Sequence, residues 1–354
     1  MISPRNSIPL EIPNLPFAGS TRNTDADELI RDFYTGKRIL ITGGKGFIGT
    51  ALSGQLETID CEISRTSRTA VPGTQKVGQA TIHEVQADLR QETFWDDCLP
   101  STDVIFHLAA QTSLKFADQN MVAAYQVNVL PMLNLLKACR QHQCQPIVLF
   151  SGTATQVGLC EHWPVSEEAE DYPVTVYDTH KLVAETYLKF GTRNGWLHAI
   201  SLRLANVYGP GPDSQGLDRG VLNQMIRKAV RGEDLVVFGR GDALRDYLYV
   251  TDAARALLLA GAHGHELRGR HYVLGSGLGH SVSEAFQLVA ERVSSRTGHP
   301  VSVRHDERYV PDSSIETRNF VADSRAFAKD TGWHPETSLS RGIDLTAEVC
   351  LVDM

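Results

Sequence analysis

The sequence has little positive charge for its length. Its 34 Lys and Arg residues are outnumbered by 42 Asp and Glu residues, so the formal net charge is −8. Because nucleic-acid binders hold phosphates with clustered Lys and Arg, this balance disfavours a nucleic-acid partner. The chain of 354 residues is 42% apolar and 21% charged. That composition is typical of a globular protein with one large or two moderate domains.

Long apolar runs are also missing. No stretch of 18 apolar residues occurs anywhere in the chain, so we expect no membrane span. The first 17 residues contain four prolines and no seven-residue apolar segment, unlike a secretory signal. The six cysteines form no Cys-x-x-Cys pair, and no histidine cluster accompanies the closest two, Cys139 and Cys144. This usage predicts reduced thiols, a cytoplasmic location and no bound metal.

Strand and helix patterns alternate through the first part of the chain. Residues 1–35 precede them as an extended arm with a short helix expected at 25–34. Across residues 36–205, β-rich runs alternate with helical stretches, which predicts right-handed crossovers and a doubly wound parallel sheet of the α/β class. The predicted strands are 38–42, 61–64, 83–87, 103–108, 146–151 and 198–204, and the predicted helices are 47–58, 120–142 and 177–194.

The pattern changes after about residue 206, where loops carry more Gly, Pro and Asp. We expect a smaller α/β lobe over residues 206–354, which would bind substrate. It would be interwoven with the first domain through returns at about 240–275. The predicted helices of this part are 219–231, 251–263, 281–297 and 340–352, and the predicted strands are 235–238, 271–274 and 301–305.

A glycine-rich stretch at 42–49 separates the first predicted strand of the sheet from the next helix. Gly43, Gly46 and Gly49 let the backbone approach a ligand, and the helix start offers free N–H groups and a positive dipole end. This arrangement predicts a loop that binds pyrophosphate. The Gly-x-x-Gly-x-x-Gly spacing differs from the commonest dinucleotide fingerprint, and an ordinary glycine-rich loop is the alternative.

A tyrosine and a lysine four residues apart, Tyr177 and Lys181, are predicted to share one helix face. An ammonium group beside a phenol favours phenolate, so we expect the pKa of Tyr177 to be lowered and the phenol to act as an acid/base. The alternative is a surface pair on an amphipathic helix. Thr153 follows a predicted strand at the edge where ligands bind in open α/β sheets, and could bond the same substrate oxygen. Ordinary turn chemistry is the alternative for this threonine.

With these motifs in place, the sequence resembles the extended short-chain dehydrogenase/reductases of the nucleotide-sugar epimerase, dehydratase and reductase type, whose sheet is Rossmann-like. The matching segments span about residues 37–340. They are 42–49, 88–89, 107–110, Asn128, 150–158, 177–185, 202–210, 245–252 and 332–335.

The resemblance implies a role for each matching position. The cofactor would be bound at its pyrophosphate by Gly43, Gly46, Phe47, Ile48 and Gly49, at its adenine by Asp88 and Leu89, and at its nicotinamide ribose by Leu108, Ala109 and Ala110. Asn128 would brace the catalytic helix. Catalysis would depend on Thr153 orienting the substrate oxygen, Tyr177 as acid/base, and Lys181 binding the ribose and tuning Tyr177. The sugar nucleotide would be bound by Asn206, Arg245 and Arg318, and the family also implies a homodimer.

Several positions depart from the family pattern. His180 replaces the usual Ser, and Val157 replaces the usual Tyr. The 4,6-dehydratases carry Asp-Glu after the catalytic Thr, where this chain has Ala154 and Thr155, so a dehydratase is disfavoured. Residues 313–316 replace an Arg-x-Gly-Asp stretch, which leaves Arg318 as the basic contact.

The end of the second predicted strand bears on the cofactor. An acid there bonds the 2′-hydroxyl of NAD, whereas basic residues accept the 2′-phosphate of NADP. Arg65, Ser67 and Arg68 predict NADP, and NAD is the alternative if both arginines are solvated charges. We therefore expect NADPH-dependent reduction of a nucleotide-linked 4-keto-6-deoxy sugar at C4. The alternatives are an NAD-dependent 4-epimerase and a non-catalytic dinucleotide-binding protein.

Overall fold

A computed structural model describes residues 24–212, 220–306, 308 and 315–352, so residues 1–23 of the arm predicted at 1–35 lie outside the described residues. Strands and helices alternate along most of the chain. The strands are β1 Arg38–Thr42, β2 Glu62–Ser67, β3 Gly73–Val77, β4 Ala80–Gln86, β5 Val104–His107, β6 Ile147–Thr153, β7 His198–Leu204, β8 Asn206–Tyr208, β9 Leu235–Phe238, β10 Leu244–Tyr249, β11 His271–Leu274, β12 Gly279–Ser281 and β13 Val303–Asp306. The helices are α1 Thr24–Tyr34, α2 Phe47–Leu56, α3 Glu92–Cys98, α4 Leu114–Gln119, α5 Met121–Asn128, α6 Leu130–His142, α7 Val176–Arg193, α8 Val221–Val230, α9 Val250–Ala262, α10 Val282–Thr297, α11 Arg325–Thr331 and α12 Leu339–Val352.

The central sheet has eight strands in the order β11-β7-β6-β5-β1-β2-β4-β3. All neighbours are parallel except β3 and β4, which form an antiparallel pair. Helices cover both faces, as alternate residues of β1 show. Ile39 and Ile41 belong to a core shared with α2 and α9, and Leu40 belongs to a second core with α6 and α7. The predicted doubly wound α/β fold is confirmed.

Two smaller sheets follow the seventh strand. One has the order β12-β10-β8 and the other pairs β13 with β9. Helices α8, α10 and α12 pack on them around a third core that includes Ile226, Val289 and Ile343. Strand β11 returns to the edge of the large sheet beside β7, although it lies far along the chain. The limits of the predicted domains stay a prediction.

Several local predictions differ from the structure, and two of the differences have a clear cause in the sequence. The helix predicted over 120–142 is two helices, α5 and α6, with Pro131 in the first turn of the second. Proline cannot donate to the preceding turn but is tolerated where the helix begins. Strand β3 was not predicted, because its residues are almost all exposed and polar and lack an apolar alternation. Within the described ranges, no helix is long and apolar enough to cross a membrane.

Candidate active site

The glycine loop turns the chain from β1 into α2 just beside the segment that follows β5. Gly43 has a φ of +67°, and a Cβ on it would lie 3.0 Å from the backbone of Ala109. A Cβ on Gly49 would lie 2.6 Å from the carbonyl oxygen of Gly43. Gly46, at the N-cap of α2, has no side chain that could bond the first N–H groups. The loop is a cradle of bare backbone at a helix N-terminus, which fits a pyrophosphate.

Other predicted cofactor residues lie along the same edge of the sheet. The N–H groups of Leu108 and Ala109 donate to the Thr42 hydroxyl at 3.2 and 3.3 Å, which fixes the segment after β5 against β1. Further along this segment, Asn128 binds both backbone groups of Gln111, at 2.8 and 3.0 Å. These two hydrogen bonds of Asn128 hold the segment after β5, and its bracing of the catalytic helix stays a prediction. Phe47 and Ile48 open α2, and Ala110 follows Ala109.

Asp88 and Leu89 follow β4. The Arg90 guanidinium donates to the Asp88 carboxylate, with 2.8 Å from Nε to Oδ1, and this bond lowers the pKa of Asp88. The carbonyl of Leu89 accepts a hydrogen bond from the indole N–H of Trp95 at 2.9 Å. The pair is thus anchored locally at the edge where the resemblance places adenine.

The arginine that predicts NADP is paired with a carboxylate. Arg65 lies opposite Glu84 in the register of β2 and β4, and its guanidinium donates to that carboxylate. The two side chains are only 15% and 11% exposed, and Lys45 Nζ lies 3.6 Å from the second oxygen of Glu84. The aliphatic part of the Arg65 side chain lies against the glycine loop. A Cβ on Gly44 would come within 2.7 Å of the Arg65 Cβ.

Ser67 and Arg68 do not share that carboxylate. The Ser67 hydroxyl accepts a hydrogen bond from the N–H of Thr69 at 3.2 Å, and Arg68 is exposed. Sequence reasoning missed Glu84. Glu84 is 19 positions from Arg65, so only the register of β2 against β4 could have revealed that the two side chains are neighbours.

Tyr177 and Lys181 lie on one face of α7, with Lys181 Nζ 6.0 Å from the centre of the phenol ring. The lysine is buried, 3% exposed, and donates to the carbonyl oxygen of Ser151 at 2.7 Å. Burial lowers the pKa of Lys181 to about 7. Burial raises the pKa of Tyr177, and the charge of Asp178 adds to this. The expected lowering of the Tyr177 pKa is wrong for the protein without cofactor, because the cost of burying a phenolate is larger than the attraction of the ammonium.

A buried amine with a lowered pKa makes stability depend on pH. Between its ordinary pKa of 10.5 and its folded value of about 7, Lys181 binds more protons in the unfolded chain than in the folded one. Its cost to stability is therefore fully present below pH 7 and fades as the pH rises through this window. We expect the unfolding free energy of Lys181→Met, relative to wild type, to be higher at about pH 6.5 than at about pH 9. Denaturant titration of the cofactor-free proteins measures this difference. The same difference in unfolding free energy at both pH values would contradict the prediction.

Thr153 ends β6 in a tightly fixed backbone. Its N–H donates to Gln156 Oε1 at 2.9 Å, and Gln156 Nε2 donates in turn to the buried carboxylate of Glu185 at 3.1 Å. The chain then turns at Gly158, where φ is +73° and a Cβ would lie 1.9 Å from the carbonyl oxygen of Tyr172. The hydroxyl of Thr153 is thus held at the carboxyl edge of the sheet.

The predicted substrate residues come together with Thr153. Arg245 is bound by the carbonyl oxygens of Leu244 at 3.0 Å, Glu316 at 2.8 Å and Arg318. A cavity of about 60 Å³ is lined by Thr153, Thr155, Asn206, Arg245, Arg318 and Phe320, among others. Four predicted residues, Thr153, Asn206, Arg245 and Arg318, therefore line one small cavity. Residues 313 and 314 of the departing stretch lie outside the described residues.

A larger cavity of about 1350 Å³ opens beside Asn206 and Arg245. Its volume is ample for a nucleotide. Aromatic and basic side chains line it, in keeping with a base and a diphosphate. They include Tyr208, Lys228, Phe238, Arg240 and Tyr247.

Asp178 was also missed by sequence reasoning, although it lies inside the Tyr177–Lys181 motif. It is 1% exposed, accepts a hydrogen bond from the Thr155 hydroxyl, and its Oδ2 lies 3.7 Å from Arg318 Nη1. Burial raises the pKa of Asp178, while the bond from Thr155 and the charge of Arg318 oppose that rise. In the described part of the chain, no group of three or more His, Cys, Asp or Glu could hold a metal ion.

Comparisons with known proteins agree with this geometry. The sequence model of the NAD dependent epimerase/dehydratase family matches residues 39–275. A putative UDP-glucose 4-epimerase of Methanocaldococcus jannaschii is 28% identical over 306 residues, which are 86% of this chain and 95% of that protein. The Thermotoga maritima UDP-glucose 4-epimerase structure with UDP-glucose has a TM-score of 0.76 and 28% identity, covering 88% of this chain and 97% of the other. The Thermus thermophilus UDP-glucose 4-epimerase complex with NAD has a TM-score of 0.73 and 28% identity, covering 88% and 98%.

Proposed function

Since the chain belongs to the NAD dependent epimerase/dehydratase family, we propose that it interconverts the C4 epimers of a nucleotide-diphosphate sugar with a retained NAD. Relatives that align along nearly their full length are named as UDP-glucose 4-epimerases, which supports this reaction over net reduction by NADPH. An epimerase removes a hydride and returns it to the same sugar, so it consumes no cofactor.

The ion pair of Arg65 with Glu84 is the observation that supports NAD as the cofactor. A free guanidinium at the end of β2 would welcome a 2′-phosphate, but this one already bonds a carboxylate. Glu84 Oε2 is buried 3.6 Å from Lys45 Nζ and accepts no hydrogen bond from any described residue, so a ribose hydroxyl that reached it would find an acceptor with a free lone pair. Because Glu84 already neutralises the Arg65 guanidinium, a 2′-phosphate would gain less from this arginine than from a free one, which favours NAD.

Each residue of the site has a separate role in the proposed reaction. Bound NAD supplies the hydride acceptor and donor. Tyr177 takes the proton of the sugar hydroxyl as C4 becomes a carbonyl, and returns it when the alcohol is restored. The buried ammonium of Lys181 stabilises the phenolate while the proton is away. Thr153 bonds the same oxygen. Arg245, whose Nη1 and Nη2 donate to three backbone carbonyls, contributes its positive charge and its remaining N–H groups to the diphosphate.

Purified protein tests the reaction directly. After denaturation, the released cofactor is identified and quantified by mass spectrometry, and the native protein is incubated with UDP-glucose. We expect bound NAD and conversion to the C4 epimer without net NAD(P)H consumption. Stoichiometric oxidation of added NADPH with a 4-keto nucleotide sugar, and no epimer formation, would replace this proposal with the reductase.

A homodimer is part of the proposal. Apolar side chains stand exposed on α5 and α7, which pack side by side. Pairing of the same two helices with those of a second copy would bury them. They are Met121, Val122, Tyr125, Tyr187 and Phe190, with 36–71% exposure. Size-exclusion chromatography with light scattering should give twice the mass of one chain. A monomer at micromolar concentration would refute the homodimer.

A further inference from the structure

One glutamine side chain ties the backbone of Thr153 to the helix that carries Tyr177. The N–H of Thr153 donates to Gln156 Oε1 at 2.9 Å, and Gln156 Nε2 donates to Glu185 Oε2 at 3.1 Å. The side chain of Gln156 is fully buried, with 0% exposure. Glu185 lies on α7, one helical turn beyond Lys181. The amide of Gln156 therefore joins the end of β6 to α7.

The carboxylate of Glu185 is itself held in place by three other side chains. Arg203 donates to it from Nε at 3.1 Å and from Nη2 at 2.7 Å. Ser201 Oγ and Lys189 Nζ donate to it at 2.7 and 2.6 Å. Burial opposes the charge of Glu185, but the bonds and charges of Arg203 and Lys189 outweigh burial and lower the pKa of Glu185. The partner of the Gln156 amide is therefore a fixed, ionised carboxylate.

The charge of Glu185 fixes which way the Gln156 amide points. An ionised carboxylate only accepts hydrogen bonds, so the NH₂ group of Gln156 must face it. The amide oxygen is then turned towards the N–H of Thr153. A flipped amide would set its oxygen against the carboxylate and its NH₂ against the N–H of Thr153, leaving both unpaired. Gly152 makes room for this orientation, because a Cβ there would lie 3.0 Å from Gln156 Oε1.

We propose that Gln156 is a positioning residue that holds the Thr153 hydroxyl at the reacting oxygen, with Glu185 as its support on α7. This inference rests on the proposed function, in which Thr153 bonds that oxygen. Thr153 is the last residue of β6, so strand pairing with β7 holds it from one side only. The amide holds it from the other side and ties it to the helix of Tyr177. Small displacements of a catalytic group from its productive geometry lower the rate.

A double-mutant cycle between Gln156 and Thr153 tests this role. Gln156→Leu, Thr153→Val and the double variant are compared for kcat and KM with UDP-glucose. Leucine is apolar and cannot bond Thr153, so kcat of Gln156→Leu should fall by about 3- to 10-fold, as for the loss of one hydrogen bond. KM should stay nearly unchanged, because other residues bind the nucleotide. In the Thr153→Val background the second substitution should have no further effect, because Gln156 acts only through the Thr153 hydroxyl.

Two more variants separate positioning from stability. Ser201→Ala is the matched control, since its hydroxyl donates to the same oxygen of Glu185 at 2.7 Å. This change weakens the same buried cluster but keeps the amide that bonds Thr153, so kcat should stay at the wild-type value. Gln156→Asn keeps a buried amide that is one methylene shorter and does not span from Glu185 to Thr153. Its charge-assisted bond keeps it on Glu185, so kcat should fall as in Gln156→Leu, even if the leucine variant fails to fold.

The outcomes distinguish the inference from the proposed function. Wild-type kcat in both Gln156 variants, a loss that persists in the Thr153→Val background, or an equal loss in Ser201→Ala would overturn the inference alone. Net reduction of a 4-keto nucleotide sugar by NADPH would overturn the proposed function. The same cycle run on that reduction would still decide the inference, because Thr153 would bond the carbonyl oxygen there. Full turnover in Thr153→Val would overturn the assigned role of Thr153 and the inference with it.

Discussion

Replacing Tyr177 by Phe should lower turnover of the nucleotide sugar by about 10²- to 10⁴-fold, the range for loss of a general acid/base. The change removes one oxygen and keeps the ring that packs near Lys181. Cofactor binding should be nearly unaffected, because the glycine cradle lies on other elements. Steady-state kcat and the stoichiometry of bound NAD measure the two effects separately.

The matched control for this substitution is Tyr172→Phe. That tyrosine is 73% exposed and lies outside α7, so the loss of its hydroxyl should leave kcat unchanged. If Tyr177→Phe retained wild-type turnover with folded protein and bound cofactor, the proton carrier would be another group. A parallel loss of cofactor would instead assign Tyr177 to binding.

Much of this site was predictable because the residues that form each motif are close in the sequence. The strand, turn and helix around Gly43 are contiguous in sequence, and the four-residue spacing of Tyr177 and Lys181 places both on one helix face. The break between α5 and α6 could also have been predicted from Pro131, since proline occurs at a helix start more readily than in a helix interior.

What could not be predicted depends on which strands and loops become neighbours. Glu84 reaches Arg65 only because β4 lies beside β2 in one register. Thr155 meets Asp178 only because the end of β6 packs against α7. The pKa of Tyr177 changes in the direction opposite to expectation for a related reason, because burial is a property of the whole fold and is absent from an isolated motif.

Replacing Glu84 by Gln should change the cofactor preference. The substitution keeps the size of the side chain, removes the charge that pairs with Arg65, and leaves Lys45 without its partner at 3.6 Å. NADP should then bind more tightly, because two cations face its 2′-phosphate, and NAD should lose a strong acceptor for its ribose. A charge-assisted hydrogen bond contributes about 1.5–3 kcal/mol, so we expect the NADP-to-NAD affinity ratio to rise by about 10- to 100-fold. Calorimetry with both dinucleotides on cofactor-free protein gives the ratio without an activity assay.

Two variants make this result specific. Glu62→Gln removes an exposed carboxylate from the opposite end of β2 and should leave the ratio unchanged. Adding Arg65→Ala to Glu84→Gln should remove most of the gain in NADP affinity, because the released guanidinium is its source. A wild-type protein that already prefers NADP, with a ratio that Glu84→Gln does not change, would show that Arg65 leaves Glu84 on binding. The reductase would then become the better assignment, because an exchangeable NADPH suits net reduction and a retained NAD suits epimerisation.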